Sequence, residues 1–353
     1  MSYSMRDILD TLGNGVDLTP KQAAYAFGEL FEGELSPAQA GALLMGLRAK
    51  GETALEVAAA ARAGLERARL VTGLPTDRPI IDIVGTGGDL SNSFNCSTAV
   101  ALYLAALGHR VVKHGNRAVS SSSGSADALE GLGIRLDTGP DEVAGELARQ
   151  GFVFLFAPNY HPAFAHIAPV RRELGVRTLF NLMGPLLNPA LPSHQLLGVG
   201  QPYALKLMAE TLALTAPDLT ALVIHGIVGF DGSGQETGGP GGPGGFDELT
   251  PFGPAVGFAL DRGKVTPFHL DPREFGIPVH DPDEVRVADK AAALTAIRDV
   301  LTGKAGKAMQ DMTALNLGAA LHLVSGKALA DCMREAREAV ADGAAKRFAN
   351  VNG

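Results

Sequence analysis

The hydrophobic pattern changes character once along this chain. Residues 5 to about 70 read as helices only, with start signals that can be named. Thr19-Pro20 and Ser36-Pro37 set a capping hydroxyl before a proline at the first helical position, and Thr53-Ala-Leu-Glu56 forms a capping box. Helices are therefore predicted over 5–13, 20–32, 37–50 and 54–69. None can bury much alone, so the four should pack as a small bundle that also leans on the rest of the chain. Leu70 to Arg78, with Pro75 and Asp77, is the expected linker.

From Pro79 onward short apolar runs alternate with helical stretches. Ile80-Ile-Asp-Ile-Val84 is bounded by proline and glycine and suits a strand buried on both faces. There follow a helix over 97–107 closed by Gly108, a strand at Arg110–Lys113, a helix over 125–131, a strand at Ile134–Asp137, a helix over 141–150 and a strand at Phe152–Phe156. Strands at 196–200 and 221–225 around a helix over 203–215 continue the series. Such repeated β-α-β units give the fold class: α/β, a small helical domain plus a large α/β domain with a mostly parallel central sheet flanked by helices. The expected division is 1–72 for the helical domain and 79–353 for the α/β domain, with part of 162–188 crossing back to the helices because its prolines interrupt the alternation. Ten of the 21 residues from Gly226 to Phe246 are glycine, a tract read as a mobile loop or insertion. Two strands around a turn at Asp261–Gly263 and a helical tail from 288 complete the pattern.

Composition narrows the partners. A net charge of −8 over 353 residues argues against a nucleic-acid backbone or an anionic membrane, which need a basic face. Cys96 and Cys332 form no CxxC and suggest neither a disulfide framework nor a zinc site, which fits a cytoplasmic setting. No run of about 18 apolar residues and no secretory start is present.

Candidate chemistry concentrates between Asp82 and Asp127. Positions 90 to 126 hold no Asp or Glu, although the chain has 38 acids against 30 bases, and they include Arg110, Lys113 and Arg117. Clustered Gly, Ser, Thr and Asn there supply N–H groups and hydroxyls for phosphate oxygens, at the end of a strand and the start of a helix. Gly85-Thr-Gly-Gly-Asp89 fails the GxGxxG dinucleotide pattern because residue 90 is leucine, and no GxxxxGK[ST] exists. Alone it reads first as an ordinary tight turn after a strand. Asn95, Ser97 and Thr98 at the next helix start exceed what capping requires, and Lys113-His-Gly-Asn-Arg-Ala-Val-Ser-Ser-Ser-Ser123 adds a second polar loop at a strand end. Asp247-Glu248 are adjacent hard carboxylates of the kind Mg²⁺ accepts, although paired acids are also common on surfaces. Arg171-Arg172 could read a carboxylate through the guanidinium fork or be ordinary surface arginines.

Taken together and in order, GTGGD, NCST, KHGNRAVSSSSGSAD, FAPNYHPAF, VRRELGVRTLFNLMGPLLNP and GFDELT make the chain resemble the anthranilate phosphoribosyltransferase family over nearly its whole length. The resemblance implies transfer of the phosphoribosyl group of phosphoribosyl pyrophosphate (PRPP) to the amine of anthranilate in tryptophan biosynthesis. It implies two Mg²⁺ ions per subunit, a homodimer formed through the helical domain, and no nucleic-acid or membrane partner. Carried across, PRPP would meet Gly85, Gly88, Asp89, Ser93, Asn95, Ser97, Thr98, Lys113, His114, Gly115, Asn116, Arg117, Ser120, Ser121 and Ser125. Gly85, Asn116, Phe164 and Arg171 would hold anthranilate, and Ser97, Asp247 and Glu248 would hold the metal. Asn116, Arg171 and His114 would orient; neither a covalent nucleophile nor an essential base is implied. Related nucleoside phosphorylases and nucleic-acid-binding relatives are the alternatives, and Asn116, Arg171, the paired acids and the negative charge favour the transferase. The chain departs from the family at Cys96, at Leu187, in the length of the tract before Phe246, and at 282–296, where a GGDAxxNA-like segment is missing.

Overall fold

The capping signals near the N-terminus all do what their chemistry dictates. The computed structural model describes residues 3–89, 91–117, 124–228 and 245–350. In it α1 (Met5–Gly13), α2 (Pro20–Glu32), α3 (Pro37–Lys50) and α4 (Ala54–Glu66) follow one another, and Thr19, Ser36 and Thr53 each form a reciprocal capping box with the residue three positions on. Leu12, Phe27, Phe31, Leu43, Leu44 and Leu47 close one apolar core among these helices.

Beyond Arg78 the chain builds one seven-stranded sheet. It contains β1 (Ile80–Gly85), α5 (Cys96–Ala106), β2 (Arg110–Gly115), α6 (Ser125–Gly131), α7 (Val143–Gln150) and β3 (Phe152–Phe156). The crossing segment carries α8 (Ala157–Tyr160), α9 (Phe164–Leu174) and α10 (Phe180–Met183), and Ile167, Val170, Leu179, Phe180 and Met183 enter the core of α1–α4. Next come β4 (His194–Gly198), α11 (Ala204–Thr215), β5 (Thr220–Gly226), β6 (Ala255–Asp261) and β7 (Lys264–Leu270), then α12 (Lys290–Leu301), α13 (Lys307–Ser325) and α14 (Leu329–Ala341). Strand order is β3-β2-β1-β4-β5-β6-β7; β1 to β5 pair in parallel, and β6 and β7 are antiparallel. The sheet is therefore mostly parallel, as the alternation predicted.

One predicted strand does not form. Ile134–Asp137 is loop and joins no ladder: β2 has β1 on one edge and β3 on the other, and the open outer edge of β3 is left unused by this segment. Arg135 instead pairs locally with Asp137 at 3.0 Å.

α5 is apolar all round, and Cys96, Thr98 to Leu104 lie at 0% exposure, which makes it the centre of the main core between the sheet and α12–α14. On the other face α4 and α11 share a second core with Leu197 and Val223 of the sheet. The order in which strands are added reverses about β1: β2 lies on one side and β4 on the other, so the loops leaving β1 and β4 diverge and open a crevice at their carboxyl ends. Among the described residues no helix is long and apolar enough to cross a membrane.

Candidate active site

The crevice is the mouth of a cavity of about 1280 Å³, bounded by the sheet on one side and by the crossing segment on the other. That volume exceeds the roughly 300–1,000 Å³ of a typical single-ligand site. Gly85 ends β1 opposite Gly198 at the end of β4, and the turn bearing Asp247 sits directly on both. A Cβ on Gly85 would collide with the Asp247 carboxylate, and one on Gly198 with the Asp247 carbonyl. Glycine at these two strand ends is what lets an acid enter the crevice.

The acids are held by backbone donors. Gly87 N–H donates to Asp247 Oδ2 at 2.8 Å, from a turn in which Gly87 and Gly88 have φ of 67° and 75°. Ser97 N–H donates to Glu248 Oε1 at 3.0 Å, so the start of α5, where Asn95 makes no side-chain cap, is capped by a carboxylate distant in sequence. Burial, then the charge of Asp89, raises the Asp247 pKa; burial, then Asp247, raises that of Glu248. Glu248 Oε2 is buried without a hydrogen-bond partner among the described residues. The length of the preceding tract does not blur this placement: Gly226 and Phe246 exchange hydrogen bonds of 2.9 and 2.8 Å just before the acids. Most of the glycine-rich tract lies outside the described residues.

Lys113 on β2 is 2% exposed, and its Nζ donates to the Ile83 carbonyl and, at 3.2 Å, to Ser97 Oγ. Burial pulls its pKa down. His114, next on the strand, donates from Nδ1 to the Gly184 carbonyl at 3.2 Å, since a carbonyl only accepts. Its pKa falls to about 3 through burial and then His161, so the ring is neutral with Nε2 unprotonated. His161, Phe164 and Phe180 continue an aromatic wall with T-shaped neighbours 5.0 to 5.7 Å apart. Arg171 of α9 stacks over Phe180 at 5.3 Å and has no acid partner among the described residues.

Most sequence candidates line this cavity: Gly85, Gly88, Asp89, Ser93, Asn95, Ser97, Lys113, His114, Gly115, Asn116, Arg117, Ser125, Phe164, Arg171, Asp247 and Glu248. Thr98 does not: it is fully buried on α5 behind the cavity wall. Ser120 and Ser121 lie outside the described residues. Arg117 reaches the rim but is paired with Glu130 at 2.8 Å and Asp127 at 3.4 Å, which spends its charge on the protein. The departure at 282–296 has a visible occupant: Phe94 N–H donates to the Val285 carbonyl at 3.0 Å and Val287 N–H to the Asn92 carbonyl at 2.9 Å, bracing the Ser91–Asn95 loop.

The structure adds residues that motif reading passed over. Arg177 donates to the Gly88 carbonyl at 2.9 Å and lines the cavity beside Gln201, which donates to the same carbonyl at 3.3 Å. Asp82, buried in β1, accepts from Asn188 at 2.8 Å and from His114 N–H at 3.4 Å. Arg177 and Asn188 stood inside quoted motifs, but only position in space separates them from their neighbours.

The comparisons with known proteins agree with one another. Residues 6–68 match the helical bundle domain of a glycosyl transferase family, and 77–238 and 241–346 match its α/β domain. An anthranilate phosphoribosyltransferase from Nitratidesulfovibrio vulgaris is 52% identical over 343 residues, covering 96% of each chain. The crystal structure of the Thermus thermophilus enzyme of that name superposes with a TM-score of 0.82 at 38% identity, covering 97% of this chain and 96% of the other. The Saccharomyces cerevisiae enzyme in complex with PRPP and Mg reaches a TM-score of 0.82 at 25% identity, covering 98% and 95%. With glycines, acids and aromatic wall gathered at one crevice and near full-length identity above half, the chain belongs to the anthranilate phosphoribosyltransferase family.

Proposed function

We propose that this cavity binds PRPP across the Gly85–Asp89 turn, Asn95, Ser97, Lys113 and Ser125, and anthranilate against Arg171, Asn116, Gly85 and Phe164. The reaction is the family's: the C1–O bond of PRPP breaks, pyrophosphate leaves, a C1–N bond forms to the amine of anthranilate, and that amine gives up a proton. The single observation that carries the reading is charge without a partner at two points of one cavity. Among the described residues Glu248 Oε2 is buried and unpaired, which calls for a cation, and Arg171 is desolvated with no acid beside it, which calls for an anion. An anthranilate carboxylate answers the second; an uncharged nucleobase, as in the related phosphorylases, would not.

Asp247, Glu248 and the Ser97 hydroxyl are the residues that would hold Mg²⁺, and two ions per subunit suit two carboxylates shared with a pyrophosphate. Among the described residues no three His, Cys, Asp or Glu side chains converge as a metal site, so phosphate oxygens would have to complete the coordination. Bound Mg²⁺ supplies neutralisation of charge on the leaving pyrophosphate. The protein's own part is to orient: the Gly87–Gly88 turn and Lys113 fix the donor, and Arg171 with the aromatic wall fixes the acceptor ring. His114, neutral and with Nε2 bare, adds no cation to the acceptor side. The family resemblance further supports a homodimer joined through α1–α4 and a cytoplasmic setting, and light scattering of the purified chain reads the first.

Loss of anthranilate fluorescence when PRPP and Mg²⁺ are added tests acceptor and metal need together. In the same assay Arg171→Ala should raise KM for anthranilate by roughly ten- to a hundredfold, the worth of a charge-assisted hydrogen bond, and KM for PRPP less than about twofold. Arg171→Lys should recover only part of the loss, because it keeps charge without the fork. Equal rises in both KM values would overturn the carboxylate assignment.

A further inference from the structure

We infer that Asn316, in the middle of α13 and outside the cavity, is a positioning residue that sets the Asp247–Glu248 turn against the start of α5. The inference rests on the metal reading above and asks what holds those acids in register.

Asn316 is 2% exposed and bonds to both backbone polar groups of Leu249: Oδ1 accepts from Leu249 N–H at 3.0 Å, and Nδ2 donates to the Leu249 carbonyl at 2.7 Å. An amide side chain here replaces the missing neighbour strand, since 247–250 belongs to no ladder. The second Nδ2 hydrogen is directed to the Met312 carbonyl at 2.9 Å, one turn back in the same helix, which locks the side-chain rotamer. Nδ2 also lies 3.7 Å from Cys96 Sγ. Asn316 thus touches the residue after Glu248 and the residue before Ser97, which flank two of the three proposed metal ligands. The direct link between those two ligands is the Ser97 N–H to Glu248 bond already described.

A mid-helix asparagine is a poor choice for helix stability or for an apolar core, and here its neighbours Leu315, Leu317 and Ala319 are buried hydrophobics. What it does that leucine could not is satisfy the main chain of a turn bearing two carboxylates. Cys96 lies against the same amide, whose two hydrogens are already taken by the Leu249 and Met312 carbonyls, so its contact there is one of packing.

The test measures metal binding separately from turnover. Mn²⁺ titrated into the full chain with PRPP present, followed by electron paramagnetic resonance, should bind about ten- to a hundredfold more weakly in Asn316→Leu than in the parent, the usual cost of losing an outer-shell support. KM for anthranilate should stay within about twofold. Asn316→Asp keeps the volume and the acceptor while losing the amide donors, and stands in should Asn316→Leu not fold by circular dichroism. Glu248→Gln separates the two levels of argument. If Glu248→Gln weakens Mn²⁺ and a folded Asn316 variant does not, the positioning role is overturned and the metal site stands. If Glu248→Gln leaves Mn²⁺ binding unchanged, the metal reading itself falls and takes the positioning role with it. In the double variant the Asn316 effect on Mn²⁺ should vanish; simple additivity would also overturn it.

Discussion

At the residue scale the least expected group is Asp82, a carboxyl at 0% exposure in the central strand. Burial raises its pKa to about 6 against the pull of Lys113, Asn188 and the His114 N–H. An acid whose folded pKa lies above its unfolded 3.8 stabilises the native state fully below 3.8, and that contribution is lost as pH rises through about 6. Asp82→Asn keeps the shape and cannot titrate. The stability of the parent relative to this variant should therefore fall by about 2 kcal/mol between pH 4 and pH 6.5 and level off above that, read by urea unfolding at fixed pH. Parallel pH curves for the two proteins would mean that Asp82 does not titrate in this window. Nothing in IIDIV announces this: a lone aspartate in an apolar run has the same spelling whether it faces solvent or, as here, an asparagine 106 residues further along.

At the element scale legibility depended on how local the signal is. The three capping boxes span four residues each and form where the sequence puts them, with the Thr53 box doing more than capping: Glu56 is fully buried and also accepts from Leu18 N–H at 2.9 Å and pairs with Lys50 at 2.9 Å. Ile134–Asp137 carries an equally strand-like spelling and stays loop although the outer edge of β3 is open, because a strand needs a long-range partner that a four-residue apolar pattern does not specify. The cavity-lining loops were legible as anion-binding loops. Their meeting with Asp247 was not, because it depends on two glycines, Gly85 and Gly198, that are neighbours only through the β1–β4 register. Gly198→Ala probes this meeting at its tightest point. The added methyl would run into the backbone carbonyl of Asp247, which cannot swing aside as a side chain does, so the acidic turn must lift from the strand ends. Turnover at limiting Mg²⁺ should fall on the order of a hundredfold, with near-ultraviolet circular dichroism and the α1–α4 core unaffected. Parent-like turnover would show that the turn has slack the geometry does not suggest.

At the scale of the whole molecule, the cavity exists because two layers meet along seams of unlike strength. Behind it, Val57 and Ala61 of α4 share an apolar core with α11 and with Leu197 and Val223 of the sheet, a contact that resists opening. At the rim the join is polar. Arg48 donates to the Arg177 carbonyl, and Arg177 donates across to the Gly88 carbonyl at 2.9 Å, tying α3 and the crossing segment to the phosphate-type turn. Gly88 has to be glycine for this, since a Cβ there would occupy the place of the guanidinium. One exposed hydrogen bond to a neutral carbonyl contributes about 1 kcal/mol, too little to matter for global stability in a chain of 353 residues but enough to bias the turn it touches. Arg177→Ala should therefore lower the melting temperature by about 2 °C or less while raising KM for PRPP about fivefold. KM for anthranilate, set at Arg171 on the far wall, should hardly move. A drop in melting temperature of more than about 5 °C would show instead that the rim contact holds the two layers together, and a change confined to anthranilate would detach Arg177 from the donor side. The expected split follows from where the seams run: the apolar one bears the load of the fold, and the polar one governs the loop on which the donor rests.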